Sequence, residues 1–352
     1  MAAPGTDSTR SREHGSAPRL TVAVLAGGRS SEHDVSRSSG AAVREGLLAA
    51  GHEAIAVEIG RDGVWRREGE ERPLALTPGA GLLGADVAFP ALHGRFGEDG
   101  TVQGLLEMLD VAYVGAGVAA SAVCLDKVLF KELMAAAGTV PQVEYVDVRE
   151  EQLSGPGRQA LLERVMRLGL PAFVKPAHMG SSVGIVRVTE EDGLEAAIES
   201  AFAYDARVIV EAAAGGVEVE CGVLGGAGVQ TLASVAGEIS FGGDFYDYEA
   251  KYAPAGMELL IPARISERAA ERVRELALEA FARAGCFGLA RVDFFVDDEQ
   301  VLLNELNTMP GFTPTSVYAK LLETSGVPYP ELVDRLCRLG IARHAAQAAH
   351  AF

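Results

Sequence analysis

The chain has 352 residues, of which 48% are hydrophobic, and a formal net charge of -18 at pH 7. This length and apolar content suffice for two or three domains with substantial cores. The negative charge argues against a general nucleic-acid surface and against an anionic membrane as partners, because the average field would repel both. A local basic pocket that binds a nucleotide is still compatible with this net charge.

The cysteines and the chain ends indicate the cellular compartment. The 4 cysteines lie far apart without a CxxC pattern, which indicates neither a zinc site nor a disulfide framework. Free thiols in a reducing cytosol are the simplest interpretation. Residues 1–18 lack the apolar stretch of a signal peptide, and no later run reaches the roughly 18 apolar residues of a membrane span. The sequence therefore predicts a disordered N-terminal tail and a cytoplasmic protein.

The chain begins with a pattern of alternating strands and helices. A strand is predicted over residues 21–26, followed by Gly27-Gly28 and a helix that ends near Gly51. A strand, a glycine turn and a helix form a common ligand-binding junction. The turn is not GxGxxG, which disfavours a dinucleotide enzyme. Glu32, in the first turn of the helix, is explained without further context by the helix dipole.

Two more strands, predicted over residues 52–59 and 85–92, alternate with helices, which is typical of a parallel sheet. The second ends in His93 and a glycine-rich loop, and such loops at strand ends commonly carry binding sites. A structural role explains an isolated histidine equally well. A helix over 101–110 and a strand over 111–114 are predicted to complete this unit.

Lysines and a glycine-rich tip follow. A helical pattern from 118 to 138 carries Lys127 and Lys131 one turn apart, and each is also explained as a solvated charge. Lys175 ends an apolar strand that leads into a Gly/Ser-rich hairpin tip over 178–184. Backbone N–H and hydroxyl groups of this tip can bind phosphates, with Lys175 supplying positive charge. The alternative is a turn that needs glycine only for its shape.

Weaker signals occupy the next segments. Glu211 ends a strand that starts at Arg207, and Glu218 begins a new alternating pattern, so either carboxylate could accept a ribose hydroxyl. Residues 245–252 have no clean period, which predicts a loop able to close over a charged substrate. A helix is predicted over 268–284, and the Ala/His-rich last residues are predicted to be a frayed end.

The final hairpin is the strongest local signal. Its strands are predicted at 291–296 and 301–307, and a three-residue loop between them would set Asp293 opposite Glu305 and Arg291 opposite Asn307. Opposed carboxylates repel each other, so the pair is best explained by a divalent cation, usually Mg²⁺ beside phosphates. An ordinary amphipathic hairpin is the alternative. The polar Gly/Pro-rich loop that follows favours a binding site.

Taken in order, these motifs resemble the ATP-grasp ligases and, within them, the D-alanine:D-alanine ligases of bacterial cell-wall synthesis. The matching segments are GGRSSEHDVS (27–36), HGRFGEDGT (93–101), DK (126–127), VKP (174–176), GSSVG (180–184), YDYEAKY (246–252), RVD (291–293) and NELNTMPGFT (304–313). They occur in the family's order.

The resemblance implies an α/β protein with the ATP-grasp fold, in three domains whose ATP-binding part is α+β. The expected parts are a tail (1–18), an N-terminal substrate domain with a Rossmann-like parallel sheet (19–116), a central ATP-grasp domain (117–213), a C-terminal ATP-grasp and catalytic domain (214–341) and a tail (342–352).

The activity implied is ATP-dependent joining of two D-alanines through a D-alanyl phosphate for peptidoglycan synthesis, by a cytoplasmic homodimer with two Mg²⁺ or Mn²⁺. No nucleic-acid or membrane partner is implied. The alternatives are an acceptor other than D-alanine, namely D-serine, D-lactate or a biosynthetic amine, and a non-catalytic nucleotide-binding protein. Lys251-Tyr252 favours an amino acid acceptor, because relatives that use D-lactate carry a histidine-bearing loop there.

The resemblance also implies residue roles. Glu32 and His93 would bind the first D-alanine, and Ser316 the carboxylate of the second. Arg291 and the Gly311 N–H would face the tetrahedral intermediate, and Ser181 and Tyr252 would hold a closing loop toward Glu32. The expected ATP-binding residues are Lys127, Lys175, Ser181, Ser182, Glu211, Glu218 and Lys251. The expected metal ligands are Asp293, Glu305 and Asn307. Three alanines after Glu211 depart from the family pattern and leave adenine recognition to backbone groups.

Overall fold

The computed structural model describes residues 18–136, 138–241 and 257–350. The N-terminal part contains β1 (Thr21–Gly27), α1 (His33–Ala49), β2 (Glu53–Ile59), β3 (Trp65–Arg67), β4 (Val87–Pro90) and α2 (Thr101–Met108). Its sheet has the order β3-β2-β1-β4, with β1 parallel to both β2 and β4. The predicted parallel sheet is thus confirmed. The strand predicted over 111–114 is wrong in extent, because only a bridge between Ala88 and Tyr113 forms there.

The helix predicted over 118–138 is divided at Asp126. It consists of α3 (Val118–Leu125) and α4 (Lys127–Ala135). Asp126 has an extended backbone, and its carboxylate accepts hydrogen bonds from the backbone N–H groups of Val128 and Leu129. This is an N-cap, which satisfies N–H groups that the start of a helix leaves without partners. As a result Lys127 stands at the first position of α4.

The central part is an antiparallel sheet with its own core. It contains β5 (Tyr145–Arg149), α5 (Glu150–Ser154), α6 (Arg158–Met166), β6 (Ala172–Pro176), β7 (Val186–Val188), α7 (Leu194–Phe202) and β8 (Arg207–Ala212). The strand order is β5-β8-β6-β7. The antiparallel pairing of β6 with β7 confirms the predicted glycine-tipped hairpin.

The C-terminal part is built on a second antiparallel sheet. It contains β9 (Val217–Gly226), β10 (Val229–Phe241), β11 (Met257–Leu260), α8 (Glu267–Arg283), β12 (Gly288–Asp297), β13 (Gln300–Asn307), α9 (Val317–Thr324) and α10 (Tyr329–Ala348). The strand order is β11-β10-β9-β12-β13. In the part of the chain that the structure describes, no helix is both long and apolar enough to cross a membrane.

The N-terminal and C-terminal parts share one hydrophobic core. Val24 of β1 and Phe89 of β4 belong to the same buried cluster as Phe312, Leu332 and Leu336 of the C-terminal part. The central part instead has a separate cluster between its sheet and helices. The two outer parts are therefore packed as one body, beside which the central part lies.

The predicted frayed C-terminus is wrong, because α10 continues to Ala348. Its end is fixed by Arg343, whose guanidinium lies 4.0 Å from the ring centroid of Tyr113 and donates to the backbone oxygen of Gly115. Cation–π stacking and a charged hydrogen bond hold this turn against the N-terminal part.

Candidate active site

A β-bulge in the β12–β13 hairpin determines which side chains face each other. The turn has two residues rather than the predicted three, since Asp297 pairs with Gln300. The register then shifts between Asp293 and Phe294, leaving Asn304 as the extra residue of β13. Beyond the bulge Asp293 pairs with Glu305 and Arg291 with Asn307. The predicted pairs are confirmed, although for a different reason.

Charged groups on this hairpin are closely paired around the buried Asp293. Arg291 donates from Nε and Nη2 to the two carboxylate oxygens of Asp293, at 2.8 and 2.6 Å. Asn307 Nδ2 donates to Asp293 Oδ2 at 2.9 Å. Burial alone would lower the pKa of Arg291, but the carboxylates of Asp293 and Glu220 hold that pKa well above its ordinary value. Arg291 is therefore a fixed positive charge in the site.

The same face of the sheet carries a row of three carboxylates. Asp293 is paired with Glu220 of β9 on one side and with Glu305 of β13 on the other. Carboxylate and amide oxygens are the donors that Mg²⁺ and Mn²⁺ prefer, so the set of Asp293, Glu305 and Asn307 fits such an ion chemically. Among the described residues no three His, Cys, Asp or Glu side chains converge on one point. Asp293, Glu305 and Asn307 are thus chemically suitable ligands for a divalent cation. Of these, Asp293 is also hydrogen-bonded to Arg291.

The buried Glu211 lies between two lysines. Its Oε1 is 2.8 Å from Nζ of Lys131, and its Oε2 is 2.5 Å from Nζ of Lys175. Burial would raise the pKa of Glu211, but the two ammonium groups lower it to about 2. Conversely, burial opposes the charge of Lys175, and Glu211 outweighs it, so the pKa of Lys175 is raised. Both oxygens of Glu211 are thereby occupied in holding the lysines.

Lys127 connects α4 to two other parts of the site. Its Nζ donates to the backbone oxygen of Met179 at 2.7 Å and lies 3.8 Å from Glu305 Oε2. Since Met179 lies in the glycine/serine tip, this ammonium group lies between the tip and the acidic hairpin.

The tip itself contacts the N-terminal part. The Ser181 hydroxyl donates a hydrogen bond to Glu32 Oε1. Ser181 and Ser182 both have left-handed backbones, with φ of 49° and 58°, a conformation that costs energy outside glycine and often occurs at functional sites. A Cβ on Gly94 would lie 2.7 Å from Glu32 Oε2, so only glycine leaves room for this carboxylate.

His178 holds the base of the tip. Its Nε2 lies 3.1 Å from Asp126 Oδ2, and its Nδ1 lies 2.7 Å from Asp205 Oδ2. These hydrogen bonds raise the pKa of His178 to about 9. The charged imidazolium thereby links the tip to the cap of the helix that carries Lys127.

His93 connects the N-terminal part to the loop after β13. Its Nε2 is hydrogen-bonded to Ser39 Oγ at 2.9 Å, and its Nδ1 lies 3.1 Å from the backbone oxygen of Met309. The Phe312 N–H in turn donates to Ser39 Oγ at 3.4 Å. His93 is 5% exposed, so these contacts fix the loop from beneath.

The loop is anchored by Phe312 and ends at Ser316. The Phe312 ring is fully buried, 5.2 Å from that of Phe89 and 5.6 Å from that of Tyr329. Ser316 precedes α9, and its Oγ accepts from the Thr313 N–H at 3.0 Å. A Cβ on Gly311 would lie 3.4 Å from Ser316 Oγ. Gly311 and Ser316 are thus neighbours on a rigidly held loop.

Two family models identify the protein family to which this chain belongs. The model described as D-ala D-ala ligase N-terminus matches residues 21–82 and 69–116, and that described as D-ala D-ala ligase C-terminus matches residues 133–338. Together they cover well over half of the chain. The chain belongs to the D-Ala–D-Ala ligase family.

Individual members of the family agree with this assignment. The D-alanine–D-alanine ligase of Mycobacterium ulcerans is 43% identical, over 92% of this chain and 96% of its own length. That of Geobacillus thermodenitrificans is 44% identical, over 93% of this chain and 96% of its own.

Solved structures confirm the ATP-grasp fold of this D-Ala–D-Ala ligase family member. The D-alanine–D-alanine ligase of Coxiella burnetii matches with a TM-score of 0.82 and 36% identity, covering 94% of this chain and 97% of that one. The VanG D-Ala:D-Ser ligase of Enterococcus faecalis matches with a TM-score of 0.81 and 32% identity, covering 92% of this chain and all of that one.

Most residues that the sequence singled out lie together in this member of the D-Ala–D-Ala ligase family. Glu218, on β9, is on the same face as Glu220. Lys251 and Tyr252 lie outside the described residues. Sequence reasoning missed the roles of Lys131 and Glu220, since an amphipathic pattern cannot distinguish a buried ion pair from a solvated charge.

Proposed function

We propose that this protein joins two D-alanines to D-alanyl-D-alanine, with ATP converted to ADP and phosphate. The observation that carries the proposal is the hydrogen bond from Ser181 to Glu32. It brings the phosphate-binding tip against the one carboxylate expected to receive a substrate ammonium group. A nucleotide phosphate and an amino acid would therefore be held beside each other, as phosphoryl transfer to the amino acid requires.

The first half-reaction would activate the first D-alanine. A carboxylate does not react with an amine at neutral pH because oxide is a poor leaving group, so transfer of the γ-phosphoryl group must first form D-alanyl phosphate. Phosphoryl transfer depends on positive charge around the phosphates. Lys127 and Lys175 supply that charge, and Glu211 orients Lys175 from behind. Two Mg²⁺ or Mn²⁺ held by Asp293, Glu305 and Asn307 would add further positive charge at the phosphates.

The second half-reaction would form the peptide bond. The amine of the second D-alanine attacks the acyl carbon, an oxyanion develops, and phosphate leaves. Arg291 and the Gly311 N–H would donate to that oxyanion, each contributing on the order of 3 kcal/mol. Ser316 would hold the second carboxylate. Ser181 and Tyr252 would keep the covering loops closed, so that water does not hydrolyse the acyl phosphate.

The remaining roles concern binding. Glu32 would pair with the ammonium of the first D-alanine, and His93 would shape its pocket. Ser182, Glu218 and Lys251 would contact the nucleotide, and backbone groups near residues 212–214 would contact the adenine.

We also propose the cellular setting and the domain organisation that the family suggests. The product would serve peptidoglycan precursor synthesis in the cytoplasm, and the enzyme would act as a homodimer. The domain limits at 116 and 213 belong to the same proposal.

The decisive assay incubates the protein with ATP, Mg²⁺ and D-alanine and measures phosphate and D-alanyl-D-alanine. We expect equal amounts of both. Absence of the dipeptide at millimolar D-alanine would refute the proposal.

A second candidate keeps the donor and changes the acceptor. The likeness to a D-Ala:D-Ser ligase supports D-serine as an alternative second substrate. Competition between D-alanine and D-serine, with mixed products resolved by mass spectrometry, separates the two. A predominance of D-alanyl-D-serine at equal concentrations would favour the second candidate.

A further inference from the structure

Arg291 is held by carboxylates from two strands. Besides the contact of its Nε and Nη2 with Asp293, its Nε lies 3.0 Å from Glu220 Oε2. The Glu220 side chain is 8% exposed and that of Arg291 is 13% exposed. Glu220 stands directly across from Asp293 in the pairing of β9 with β12. This second ion pair is therefore built into the sheet.

The proposed mechanism places two demands on Asp293. It is expected to bind a divalent cation, yet both of its oxygens contact Arg291, at 2.8 and 2.6 Å. A cation that draws these oxygens away weakens the hold on Arg291, the residue proposed to face the oxyanion. A guanidinium that is displaced by about 1 Å loses much of its effect on a transition state.

We propose that Glu220 is a positioning residue that keeps Arg291 in place while Asp293 binds the cation. This inference rests on the proposed function. Glu220 comes from β9, outside the hairpin that carries the ligand set, so its negative charge attracts the guanidinium without sharing a residue with that set. The bidentate contact with Asp293 uses Nε and Nη2, so the Nη1 N–H groups point away from Asp293.

Glu305, the other carboxylate beside Asp293, also raises the pKa of Arg291, but less than Glu220 does. It stands on β13, where its Oε2 lies 3.8 Å from Nζ of Lys127. The ion-pair partner of Glu305 is thus Lys127, whereas that of Glu220 is Arg291.

The test uses Glu220→Asp, which keeps the negative charge but withdraws the carboxylate by one methylene. The first measurement is the amount of dipeptide formed per phosphate released. We expect this ratio to fall at least about fivefold, because a weaker ion pair lets the guanidinium move away from the oxyanion and acyl phosphate that is not attacked by the amine is hydrolysed. Glu220→Gln, which has nearly the same shape but no charge, should lower the ratio as well.

The matched control is Glu238→Gln. Glu238 is 2% exposed and is paired with Arg264, but its cross-strand partner is Val219, so it faces the opposite side of the sheet from Glu220. We expect its ratio to equal that of the unaltered protein. An equal loss in this variant would show that the ratio falls when any buried glutamate of the sheet loses its ion pair, and would overturn the proposal.

A second measurement does not depend on activity. Mn²⁺ binding is followed by electron paramagnetic resonance in the unaltered protein, Glu220→Asp, Arg291→Ala and the double variant. In Glu220→Asp the shorter side chain leaves Arg291 more dependent on Asp293, so Arg291 competes with the cation for the Asp293 carboxylate. The affinity for Mn²⁺ should therefore fall about threefold or more in this variant. In the Arg291→Ala background the same change should have no effect.

The outcomes distinguish a failure of the proposed role of Glu220 from a failure of the proposed function. An unchanged ratio in Glu220→Asp overturns the proposal, and so does a loss of Mn²⁺ affinity that persists in the Arg291→Ala background, which would make Glu220 a direct partner of the cation. If the unaltered protein makes no dipeptide, the proposed function fails, and the Mn²⁺ measurements still decide whether Glu220 acts through Arg291.

Discussion

The Ser181 hydroxyl donates a hydrogen bond to Glu32, a residue 149 positions earlier in the chain. The donor lies on a tip of the central part, and the acceptor stands at the start of α1 in the N-terminal part. The central part has its own core, whereas the outer parts share one. This contact therefore joins the central part to the N-terminal part.

The contact predicts the effect of Ser181→Ala. Without the hydroxyl, the tip loses its tie to Glu32, and water reaches the acyl phosphate more easily. We expect kcat/KM for D-alanine to fall about tenfold, the scale of one hydrogen bond to a charged group, with more phosphate released per dipeptide. Steady-state kinetics with both products quantified check this. Ser38→Ala, which alters an exposed serine of α1, serves as control and should behave like the unaltered protein.

Arg291→Ala should separate the two half-reactions. Arg291 is placed to act on the oxyanion of the second step, so dipeptide formation should fall about a hundredfold. Nucleotide affinity should change much less. Isothermal titration with ADP and Mg²⁺ gives the affinity, and single-turnover experiments give the rate of dipeptide formation. Equal losses in both would contradict this division of roles.

Lys131→Met should reduce stability as well as activity. Lys131 is 1% exposed, and its removal leaves Glu211 with Lys175 as its remaining ammonium partner among the contacts described above. Breaking a buried ion pair from one side typically costs about 3 kcal/mol of unfolding free energy. Urea denaturation measures this loss. The control is Lys320→Met on α9, where the lysine is partly exposed and the expected change is within about 0.5 kcal/mol.

The raised pKa of His178 predicts that the protein becomes less stable at alkaline pH. Its pKa is raised from 6.5 to about 9, first by Asp126 and then by Asp205. The folded state therefore binds this proton more tightly than the unfolded state, so the stabilisation is complete below about pH 6.5 and is lost as the pH rises through about 9. Because the side chain is 47% exposed, solvent screening limits the contribution to about 1 kcal/mol.

Urea denaturation at the two ends of that pH range tests this prediction. In His178→Gln, the loss of stability between the neutral and alkaline end should be smaller by about 1 kcal/mol than in the unaltered protein. Arg207, which also contacts Asp126, keeps its charge throughout the range and is not the source of the change. An identical pH dependence in both proteins would exclude His178 as the titrating group.

Local patterns predicted much of the fold and of the site. Alternation placed Arg291, Asp293 and Glu305 on strands, and the register of the pairs followed from assuming one particular turn. That assumption was wrong, because a shorter turn and a bulge at Asn304 compensate each other. A bulge depends on the packing of a whole sheet, and the sequence of one hairpin does not specify it.

The ion-pair partners of Lys131 and Glu220 depend on tertiary contacts, which the sequence did not reveal. Lys131 appeared on a helix at a spacing compatible with solvent, and only the position of β8 beside α4 shows that it pairs with Glu211. Similarly, Glu220 shared an alternating pattern with Glu218, and the pairing of β9 with β12 is what sets it against Arg291. Such partners are distant in the chain and carry no local signature.

The shared core of the outer parts also has a consequence for synthesis of the protein. Val43 and Leu47 of α1 pack in the same cluster as Leu332 and Leu336 of α10. The ribosome synthesises the N-terminus first. The apolar surface of the first sheet and helix therefore stays uncovered until almost the entire chain has been made. The central part, whose core is local, can fold earlier. We therefore expect the unfinished N-terminal part to be the segment of the nascent chain that most needs protection from aggregation.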